Sequence, residues 1–470
     1  MSNYKATIGI EVHCELKTNN KIFSPSLSHY GNMANTNANI IDLGFPGTLP
    51  ILNMDVVIFA IKAFKVLNLN ITRKMHFDRK NYFYPDNPKN FQITQNRTPI
   101  GTNGYIIIND NGVEKKIEIE EMHIEEDTSK SVHGTDTSLL DFNRAGVPLI
   151  EIVTKPCIHT SMEAKLYLEK LRELLLYADV SDCKIEEGSM RCDCNVSVSK
   201  TKKLGTKVEV KNIGSISNVG LAIKYEEERQ IELLEKGETF KEQTRRFDDK
   251  TNSTILMRVK ETGNDYRYFP EPDIPFIDLT DEYIEETKSA IPITAEERRK
   301  NYLEAGINTI NVEKIIQNRL ISDYLNRFVN KINLVIASNL LLGDIAAYLN
   351  KTELRLEDTN LTNEKFETIV NYLESGKINS KIFKDIIEDV MEQNKSIDEI
   401  LNDHNIKEMS NEELVEIIIN VINNNEQSVK DYKNGNERAI KFLMGQIMKE
   451  TKGNANPQLV TEKLIEQLKK

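Results

Sequence analysis

Proline is distributed unevenly along this chain, and its distribution limits what each part can fold into. Twelve of the 13 prolines lie at or before Pro292, and Pro457 is the only one after it. Proline interrupts helices because it lacks a backbone N–H and clashes with the preceding turn. Glycine follows the same trend, with 15 residues before position 293 and six after it. The sequence therefore predicts strands and loops first and helices afterwards, which is an α+β fold.

The first part should also contain some helices and tight turns. Apolar residues at helical spacing predict helices over 161–177 and 218–236. The pair Asn103-Gly104 and the Asp-Asn-Gly sequence at 110–112 are typical of turns. The second part opens at Thr294-Ala-Glu-Glu297, which fits a capping box at a helix N-terminus. We expect a mixed domain with a β-sheet and flanking helices, then an all-helical domain and a small helical tail domain.

Charge and local composition refine this division. Asp, Asn and Ser residues cluster between helical patterns near positions 395–410 and indicate a further boundary. The predicted domains are therefore 1–292, 293–405 and 406–470. The net charge is −12, but residues 425–470 carry nine Lys or Arg against six Asp or Glu, so this tail is +3 and the rest −15. Such a tail suits binding to a polyanion, although a solvated helical surface explains it nearly as well.

Composition favours a cytoplasmic protein without a membrane span. The chain is 39% hydrophobic and 29% charged, and it has no run of about 18 apolar residues. Its first residues lead directly into a strand, with no signal or transit sequence. The five cysteines are an odd number in a long chain, which favours a reducing cytoplasm over a disulfide framework.

The segment Ile8-Gly9-Ile10-Glu11-Val12-His13-Cys14-Glu15-Leu16 has the alternation of a β-strand. Side chains on a strand point to alternate faces. The apolar residues therefore share one face, while Glu11, His13 and Glu15 share the other. Taken alone, this is more often an edge strand with a solvated polar face than a functional site.

Four later segments repeat this pattern, and the repetition favours function. They are Pro148–Val153 with Glu151, Met122–Asp127 with Glu125 and Glu126, Arg191–Val198 with Asp193, and Lys207–Lys211 with Glu209. Hard divalent cations take oxygen ligands from several chain segments, so these strands predict one hydrated, metal-binding sheet face. Basic residues nearby would bind phosphate oxygens, namely Lys80, Arg191, Lys207 and Lys211. A metal-binding face with phosphate-binding cations fits phosphoryl transfer.

Other chemistries have weaker support. Cys183, Cys192 and Cys194 are close enough in sequence for a zinc site, but a fourth ligand is missing and two of them fall on an apolar strand face. Buried thiols are the better interpretation. The chain has no Walker loop, no Ser/Lys amidase signature and no Cys-His glutaminase signature. It can therefore activate a substrate with phosphate but has no evident means of producing ammonia.

Several longer segments resemble one known family, the B subunits of the aspartyl/glutamyl-tRNA amidotransferase. The similar segments cover essentially the whole chain in the family's order. They are IGIEVHCELKTNNKIFSPS (8–26), FDRKNYFYPDNPKNFQI (77–93), HIEEDTSK (123–130), FNRAGVPLIEIV (142–153), EEGSMRCDCNVSV (186–198), DYRYFPEPDIP (265–275) and the tail at 424–460.

The resemblance implies a reaction, cofactors and partners. Members phosphorylate the side-chain carboxylate of Glu-tRNA(Gln) or Asp-tRNA(Asn) with ATP and Mg²⁺, and ammonia then displaces the phosphate. An amidase (glutaminase) subunit supplies the ammonia, and a small third subunit holds the other two together. The first domain would be the cradle domain with the kinase and transamidase site, and the tail domain would contact the tRNA.

The resemblance also assigns roles to residues of this chain. The implied metal ligands are Glu11, His13, Glu125, Glu126 and Glu151. The implied catalytic residues are Glu11, His13, Lys80, Glu126, Asp193 and Glu209. The basic residues already selected as phosphate-binding, Lys80, Arg191, Lys207 and Lys211, are the expected nucleotide-binding residues. Glu186 and Glu187 match further polar positions of the family. Histidine is an unusual Mg²⁺ ligand, so His13 either binds through water or orients a carboxylate.

Two other functions remain open from the sequence. One is a stand-alone, ATP-dependent carboxylate–amine ligase that uses free ammonia. The other is a tRNA-binding scaffold whose acidic strands hold only a structural metal. The sequence does not distinguish Glu-tRNA from Asp-tRNA as the substrate.

Overall fold

The computed structural model describes residues 3–259, 266–406, 410–433, 436, 438–451, 455 and 457–469. The chain divides into two compact units, Met1–Ala295 and Glu296–Lys470. The first unit contains the strands and a few helices, whereas the second is helical. The predicted α+β fold class is therefore confirmed, and the three-domain division stays a prediction.

The first unit is organised around one large sheet. Its strands in chain order are β1 (Lys5–Glu15), β2 (Asn70–Ile71), β3 (Lys74–Met75), β4 (Asp78–Asn81), β5 (Phe91–Thr94), β6 (Gly101–Asp110), β7 (Val113–Glu126), β8 (Lys130–His133), β9 (Ser138–Asp141), β10 (Pro148–Thr154), β11 (Met190–Ser199), β12 (Val208–Lys211), β13 (Gln243–Asp248), β14 (Ser253–Val259), β15 (Phe269–Pro270) and β16 (Ile277–Asp278). Nine of these strands form a sheet in the order β14-β13-β12-β11-β1-β10-β7-β6-β2. Its neighbours are antiparallel except β12 and β13. Smaller sheets are β15-β4-β5, β16-β3 and β8-β9.

Strand β1 lies in the middle of this sheet and shows the predicted alternation. Ile8, Ile10, Val12 and Cys14 are buried on one face, within the main core of the unit. Full burial of such a side chain contributes roughly 1.5–3 kcal/mol to folding. That gain fixes the register, because a slip of one residue would move every apolar side chain to the opposite face. The polar residues of β1 are thereby held on the other face.

The helices of the first unit are α1 (Met54–Val66), α2 (Ser161–Tyr177), α3 (Ile216–Glu235) and α4 (Asp281–Ser289). Helices α2 and α3 contribute buried residues to the same core as β1. Thr160 and Ser215 cap them by accepting hydrogen bonds from the backbone N–H groups of Glu163 and Asn218. The helix predicted over 161–177 is confirmed at both ends. The helix predicted over 218–236 is also present, but it begins at Ile216 and ends at Glu235.

One of the two predicted turns is confirmed and the other is wrong. Asn111 and Gly112, both with positive φ, join β6 to β7. Asn103-Gly104 instead lies inside β6. Gly104 is required there for a different reason, since a Cβ at that position would lie 2.6 Å from the carbonyl oxygen of Leu67. A close approach between backbone segments, and not a turn, explains this glycine.

The remaining elements of the described residues, from Ala295 onward, are helices. They are α5 (Ala295–Glu304), α6 (Thr309–Gln317), α7 (Arg319–Asn326), α8 (Leu334–Leu342), α9 (Asp344–Thr352), α10 (Asn363–Ser375), α11 (Ser380–Glu392), α12 (Ile397–Asp403), α13 (Asn411–Asn424), α14 (Glu426–Lys433), α15 (Arg438–Glu450) and α16 (Pro457–Leu468), with a 3₁₀ turn at Leu356–Asp358. Helix α5 begins at Ala295, directly after Thr294, as the capping-box sequence Thr294-Ala-Glu-Glu297 predicted. Helices α13, α15 and α16 enclose an apolar cluster of their own, which includes Leu414, Leu443 and Leu464. Within the described part of the chain, every helix is too short or too polar to cross a membrane.

Candidate metal and phosphate site

Five adjacent strands, β12, β11, β1, β10 and β7, bring polar side chains of the sheet together. In their register Arg191 is opposite His13, His13 is opposite Glu151, and Glu151 is opposite His123. Side chains paired directly across antiparallel strands have Cβ atoms about 4.5–5.5 Å apart. The four residues therefore form a continuous row across the sheet. The repeated acidic strands share one polar face, as their alternation predicted.

Two histidines and three glutamates lie in close contact around the middle of this row. We call this cluster of five residues the acidic row (Glu11, His13, His123, Glu125 and Glu151). His13 Nε2 lies 3.3 Å from Glu151 Oε2, 3.4 Å from Glu125 Oε1 and 4.0 Å from Glu11 Oε1. His123 Nε2 lies 3.0 Å from Glu151 Oε2. Glu151 thus contacts both imidazoles and is the centre of the acidic row.

The ionisation of the acidic row reflects burial opposed by the neighbouring charges. Burial and the carboxylate of Glu151 raise the pKa of Glu11 to about 7. Burial lowers the pKa of His13, but its hydrogen bonds to Glu125 and Glu151 raise it by more, so the net pKa is well above the usual value. Burial raises the pKa of Glu151, yet the two histidines hold it well below its usual value. The acidic row therefore holds Glu151 ionised beside the imidazoles, and Glu11 is the acid whose ionisation its surroundings oppose.

The donor atoms of the acidic row suit a divalent cation. Ligand atoms of Glu11, His13 and Glu151 lie within 4.8 Å of one another, and so do those of His123, Glu125 and Glu151. Carboxylate oxygens from separate strands are the ligands that Mg²⁺ takes in proteins. Imidazole nitrogens are commoner ligands of transition metals, so the histidines broaden the range of cations that fit.

Lys211 on β12 borders the acidic row beside two further acids. Its Nζ donates to Asp193 Oδ2 and lies 3.0 Å from Glu209 Oε1. Burial lowers the pKa of Lys211, but these two carboxylates raise it by more. Thr244 Oγ1 in turn donates to Glu209 over 2.9 Å. Asp193 and Glu209 thus hold Lys211 in its charged form, while Lys207, just before β12, is exposed.

Lys80 on β4 approaches the acidic row from the three-stranded sheet β15-β4-β5. Burial lowers the pKa of Lys80, whereas the charges of Glu125 and Glu151 raise it by more. Its Nζ lies 5.2 Å from the centre of the Tyr266 ring. A charged lysine beside these carboxylates can bind a phosphate oxygen at the edge of the acidic row.

Arg191 is held beside His13 by an acid that the sequence analysis did not select. Its Nη2 donates to Asp127 Oδ2 over 2.5 Å, and Arg144 Nε lies 3.4 Å from the same oxygen. Burial lowers the pKa of Arg191, but Asp127 and Glu15 raise it by more. Asp127 therefore fixes two guanidinium groups next to the acidic row.

Glu126 lies apart from the acidic row, although it adjoins Glu125 in sequence. Successive residues on β7 point to opposite faces. The carboxylate of Glu126 accepts hydrogen bonds from Lys89 Nζ and from the backbone N–H of Ile93, at 2.8 Å for the latter. Its role as a metal ligand or catalytic residue stays a prediction. Glu186 and Glu187 lie in the turn before β11, where Glu187 accepts from Lys184 Nζ.

His123 is the member of the acidic row that the sequence analysis missed. It precedes Glu125 by two residues on β7 and faces Glu151, so it repeats the arrangement of Glu11 and His13 on β1. The spacing of two residues between a histidine and a glutamate, present in both strands, could have identified His123 from the sequence.

Four of the five cysteines are buried thiols, and they include the three for which burial was predicted. Cys14, Cys183, Cys192 and Cys194 are buried and reduced. The Sγ atoms of Cys14 and Cys183 lie 3.8 Å apart, and those of Cys192 and Cys194 lie 3.9 Å apart. Across the described residues, no cysteine belongs to a cluster of potential metal ligands.

Comparison with known proteins gives full-length matches. Residues 6–285 match the family model described as the GatB/GatE catalytic domain, and residues 323–468 match the GatB domain. Similar curated proteins are aspartyl/glutamyl-tRNA(Asn/Gln) amidotransferase subunits B from Lysinibacillus sphaericus (47% identical over 473 residues), Bacillus velezensis (46% over 474) and Halalkalibacterium halodurans (45% over 474). Each match covers all of both chains.

Proposed function

The chain belongs to the GatB family of aspartyl/glutamyl-tRNA(Asn/Gln) amidotransferase B subunits, and from this premise we propose its reaction. It phosphorylates the side-chain carboxylate of glutamyl-tRNA(Gln), aspartyl-tRNA(Asn) or both, and then amidates it. A carboxylate oxygen attacks the γ-phosphorus of ATP and ADP leaves. Ammonia then attacks the acyl carbon of the acyl phosphate and inorganic phosphate leaves. The phosphorylation is needed because a free carboxylate is a poor acyl donor to ammonia.

The acidic row carries this proposal. Glu11, His13 and Glu151, together with His123 and Glu125, are the residues that would hold Mg²⁺. Bound there, Mg²⁺ would neutralise the negative charge of the two reactants as they approach. His13 has a second role in this assignment, because its contacts with Glu125 and Glu151 orient both carboxylates.

The cations around the acidic row would bind the nucleotide. Lys80 and Arg191 are charged side chains at its edge, so they are suited to the phosphate oxygens of ATP. Lys211 has the same role, with Asp193 and Glu209 as its positioning residues. Lys207 is exposed on the same side of β12 as Lys211 and would contact a phosphate further from the acidic row.

The ammonia and the tRNA require partners. The sequence has no glutaminase motif, so we assign ammonia production to a separate amidase subunit, with a small third subunit holding the two together. Buried surroundings of the acidic row would keep water from the acyl phosphate and so favour ammonia as the nucleophile. The helical tail from residue 410 would contact tRNA through shape and backbone charge.

The decisive experiment uses Glu11→Gln in the reconstituted heterotrimer. We expect ATP-dependent phosphorylation of misacylated tRNA to fall at least about a thousandfold, since charge stabilisation by a bound metal is worth several kcal/mol. Glutamine hydrolysis by the amidase partner should continue, which shows that the heterotrimer is assembled. Near-normal amide formation by this variant would contradict the assignment of the acidic row.

The same preparation separates the two alternatives. A stand-alone ligase would form amides on small carboxylates without the amidase partner or tRNA. A scaffold would leave tRNA-dependent ATP hydrolysis intact in Glu11→Gln.

Removal of residues 410–470 tests the tail, because it should weaken tRNA binding in a filter assay and leave metal binding unchanged. Unchanged tRNA affinity would rule out the tail as a contact.

A further inference from the structure

Two buried thiols lie close together at the end of strand β1. Cys14 on β1 and Cys183 in the loop 178–189, between α2 and β11, have Sγ atoms 3.8 Å apart, and both side chains are fully buried. The S–S bond of a disulfide is about 2.05 Å long, so the two sulfur atoms would have to approach by roughly 1.8 Å to form one. The two cysteines are 169 positions apart in the chain. A bond between them would therefore connect two separate segments of the first unit.

The loop 178–189 has a conformation and a location that permit this approach. Asp179 and Cys183 have positive φ values, of 55° and 48°, which cost about 1–2 kcal/mol for a residue with a side chain. Cys183 is flanked by Asp182 and Lys184, whose side chains are 57% and 44% exposed. The thiol thus lies one residue from solvent in a strained surface loop. A local opening of the loop exposes it without unfolding the sheet.

Cys14, by contrast, belongs to a fixed element. Strand β1 is paired with β10 on one side and with β11 on the other. The backbone N–H of Glu15 donates to the carbonyl oxygen of Ser189 over 2.8 Å. The backbone N–H of Lys17 donates to that of Val180 over 2.9 Å. The loop is therefore the part that moves when the two sulfur atoms approach, and it is attached to β1 near both of its ends.

Cys183 has the surroundings of the more reactive thiol. Its contact with Cys14 lowers the pKa of Cys183 by more than burial raises it, and the charge of Arg172 lowers it further. Arg172 Nε also donates to the carbonyl oxygen of Cys183 over 3.1 Å. The thiolate is the nucleophilic form of cysteine, and a nearby positive charge favours it. Cys183 is therefore the attacking sulfur of the pair, and Cys14 is the resolving one.

A second pair of thiols in the same core provides an internal comparison. The Sγ atoms of Cys192 and Cys194 are 3.9 Å apart, nearly the same distance. These cysteines are two positions apart on strand β11, which places their Cα atoms about 6.6 Å from each other. That separation is near the upper end of the range of about 4.4–6.8 Å found in disulfides. Strand β11 is paired on both sides, so neither cysteine has the freedom that the loop gives to Cys183.

We propose that Cys14 and Cys183 form an oxidative modification site, at which hydrogen peroxide converts the two thiols to a disulfide that lowers the activity of the acidic row. The effect on activity rests on the proposed function, whereas formation of the disulfide does not. The disulfide pulls the loop 178–189 toward β1. Cys14 adjoins His13, and the loop ends two residues before Arg191, so the change reaches both residues where they lie opposite each other.

The oxidation proceeds in two balanced steps. The Cys183 thiolate attacks one oxygen of hydrogen peroxide, the O–O bond breaks, and the hydroxide that leaves takes up the proton that Cys183 released. Cys14 then attacks the sulfur of the resulting sulfenic acid, the S–O bond breaks, and the hydroxyl group leaves as water with the thiol proton of Cys14. The two thiols lose two electrons, and the peroxide becomes two molecules of water. A dithiol reductant reverses the change.

The test treats the reconstituted complex with hydrogen peroxide and removes the excess with catalase. Remaining thiols are alkylated, and disulfides are mapped by mass spectrometry. We expect linked peptides that contain Cys14 and Cys183 in the wild type. Amide formation should fall at least about tenfold, since a misplacement of about 1 Å can cost about a hundredfold in rate. A dithiol reductant should restore it.

Three variants assign the effect to this pair. Cys183→Ser removes the attacking sulfur, Cys14→Ala removes the resolving one, and Cys194→Ser removes a thiol of the comparison pair. Each treated variant is compared with its own untreated sample. Cys183→Ser and Cys14→Ala should keep their activity after treatment, whereas Cys194→Ser should lose and regain activity like the wild type. Either of the first two variants is sufficient, and mapping of the wild type requires neither.

The proposal is overturned if mapping finds no link between Cys14 and Cys183, or if the linked wild type keeps its activity. It is also overturned if Cys183→Ser is inactivated as strongly as the wild type, because another thiol would then be responsible. Failure of the proposed function would be visible separately, since the untreated wild-type complex would then form no amide. Mapping would still show whether the disulfide forms, and its absence would overturn the modification site itself.

Discussion

Buried glutamates occur on both faces of the nine-stranded sheet, and their surroundings differ. On the face packed against α3, Glu226 accepts hydrogen bonds from Arg229 Nε (3.0 Å), Gln230 Nε2 (2.9 Å) and Thr254 Oγ1 (3.0 Å). Arg245 adds a second guanidinium 3.6 Å away. In the acidic row, by contrast, the single Nε2 of His13 lies within 3.4 Å of both Glu125 and Glu151.

This difference separates acids that stabilise the fold from acids that serve a site. A buried carboxylate is stable when hydrogen-bond donors and positive charges surround it. Glu226 has three such donors and a second guanidinium group nearby. In the acidic row the histidines hold Glu125 and Glu151 ionised, whereas burial and the charge of Glu151 oppose the ionisation of Glu11 in the metal-free form. A bound cation would relieve that opposition. We therefore expect substitutions on the two faces to have opposite effects on stability and activity.

The largest difference should appear between the neighbours Glu125 and Glu126. Glu125→Gln removes an acid of the acidic row, so amide formation should fall at least about a thousandfold. Glu126→Gln leaves the acidic row intact but deprives Lys89 of its buried partner, so unfolding should become easier by about 3–5 kcal/mol. Amide formation by the reconstituted complex and urea unfolding of each variant provide the two measurements.

Isothermal titration with Mg²⁺ completes this comparison. Metal affinity should fall in Glu125→Gln and stay within about threefold of the wild type in Glu126→Gln. An equal loss of metal affinity in both variants would instead support Glu126 as a ligand, as the family resemblance implies.

The next largest effect is on stability, at Glu226. Glu226→Gln leaves Arg229 and Arg245 without a counter-charge in a buried site, which typically costs about 3–5 kcal/mol. Glu228→Gln, on an exposed position of the same helix, should change the unfolding free energy by less than about 0.5 kcal/mol. Urea unfolding of both variants measures the difference. A loss below about 1 kcal/mol in Glu226→Gln would show that pairing there is not what stabilises this face.

The sequence was sufficient for the fold class and for most of the acidic row. Alternation along β1 identified Glu11 and His13 correctly as residues of the polar face, because period 2 is a local property of a strand. Alternation alone does not show which of the adjacent Glu125 and Glu126 faces the other acids, so the sequence left both of them as candidates. Once the strand is paired with β10, Glu125 and not Glu126 lies on the face of Glu151.

Contacts between distant segments were beyond sequence reasoning. Asp127 holds Arg191 from 64 positions away, and Lys89 binds Glu126 from 37 positions away. Likewise, Asn103-Gly104 has a typical turn sequence, but the approach of Leu67 places it within a strand. Such features depend on how strands and loops meet in the folded chain, which local patterns do not encode.

The smallest expected effect is a pH dependence of stability in the metal-free protein. Burial and Glu151 raise the pKa of Glu11 to about 7, whereas the unfolded chain releases this proton near pH 4.5. Between these values the folded state binds more protons than the unfolded state, so Glu11 lowers stability as pH rises through this window.

Glu11→Gln removes that contribution. With EDTA present, the variant should match the wild type near pH 4 and exceed it at about pH 7.5 by on the order of 1–3 kcal/mol. Unfolding curves at both pH values provide the test, and an equal difference at the two would show that Glu11 ionises normally in the folded chain. The acidic row would then be less strained than the comparison with Glu226 implies.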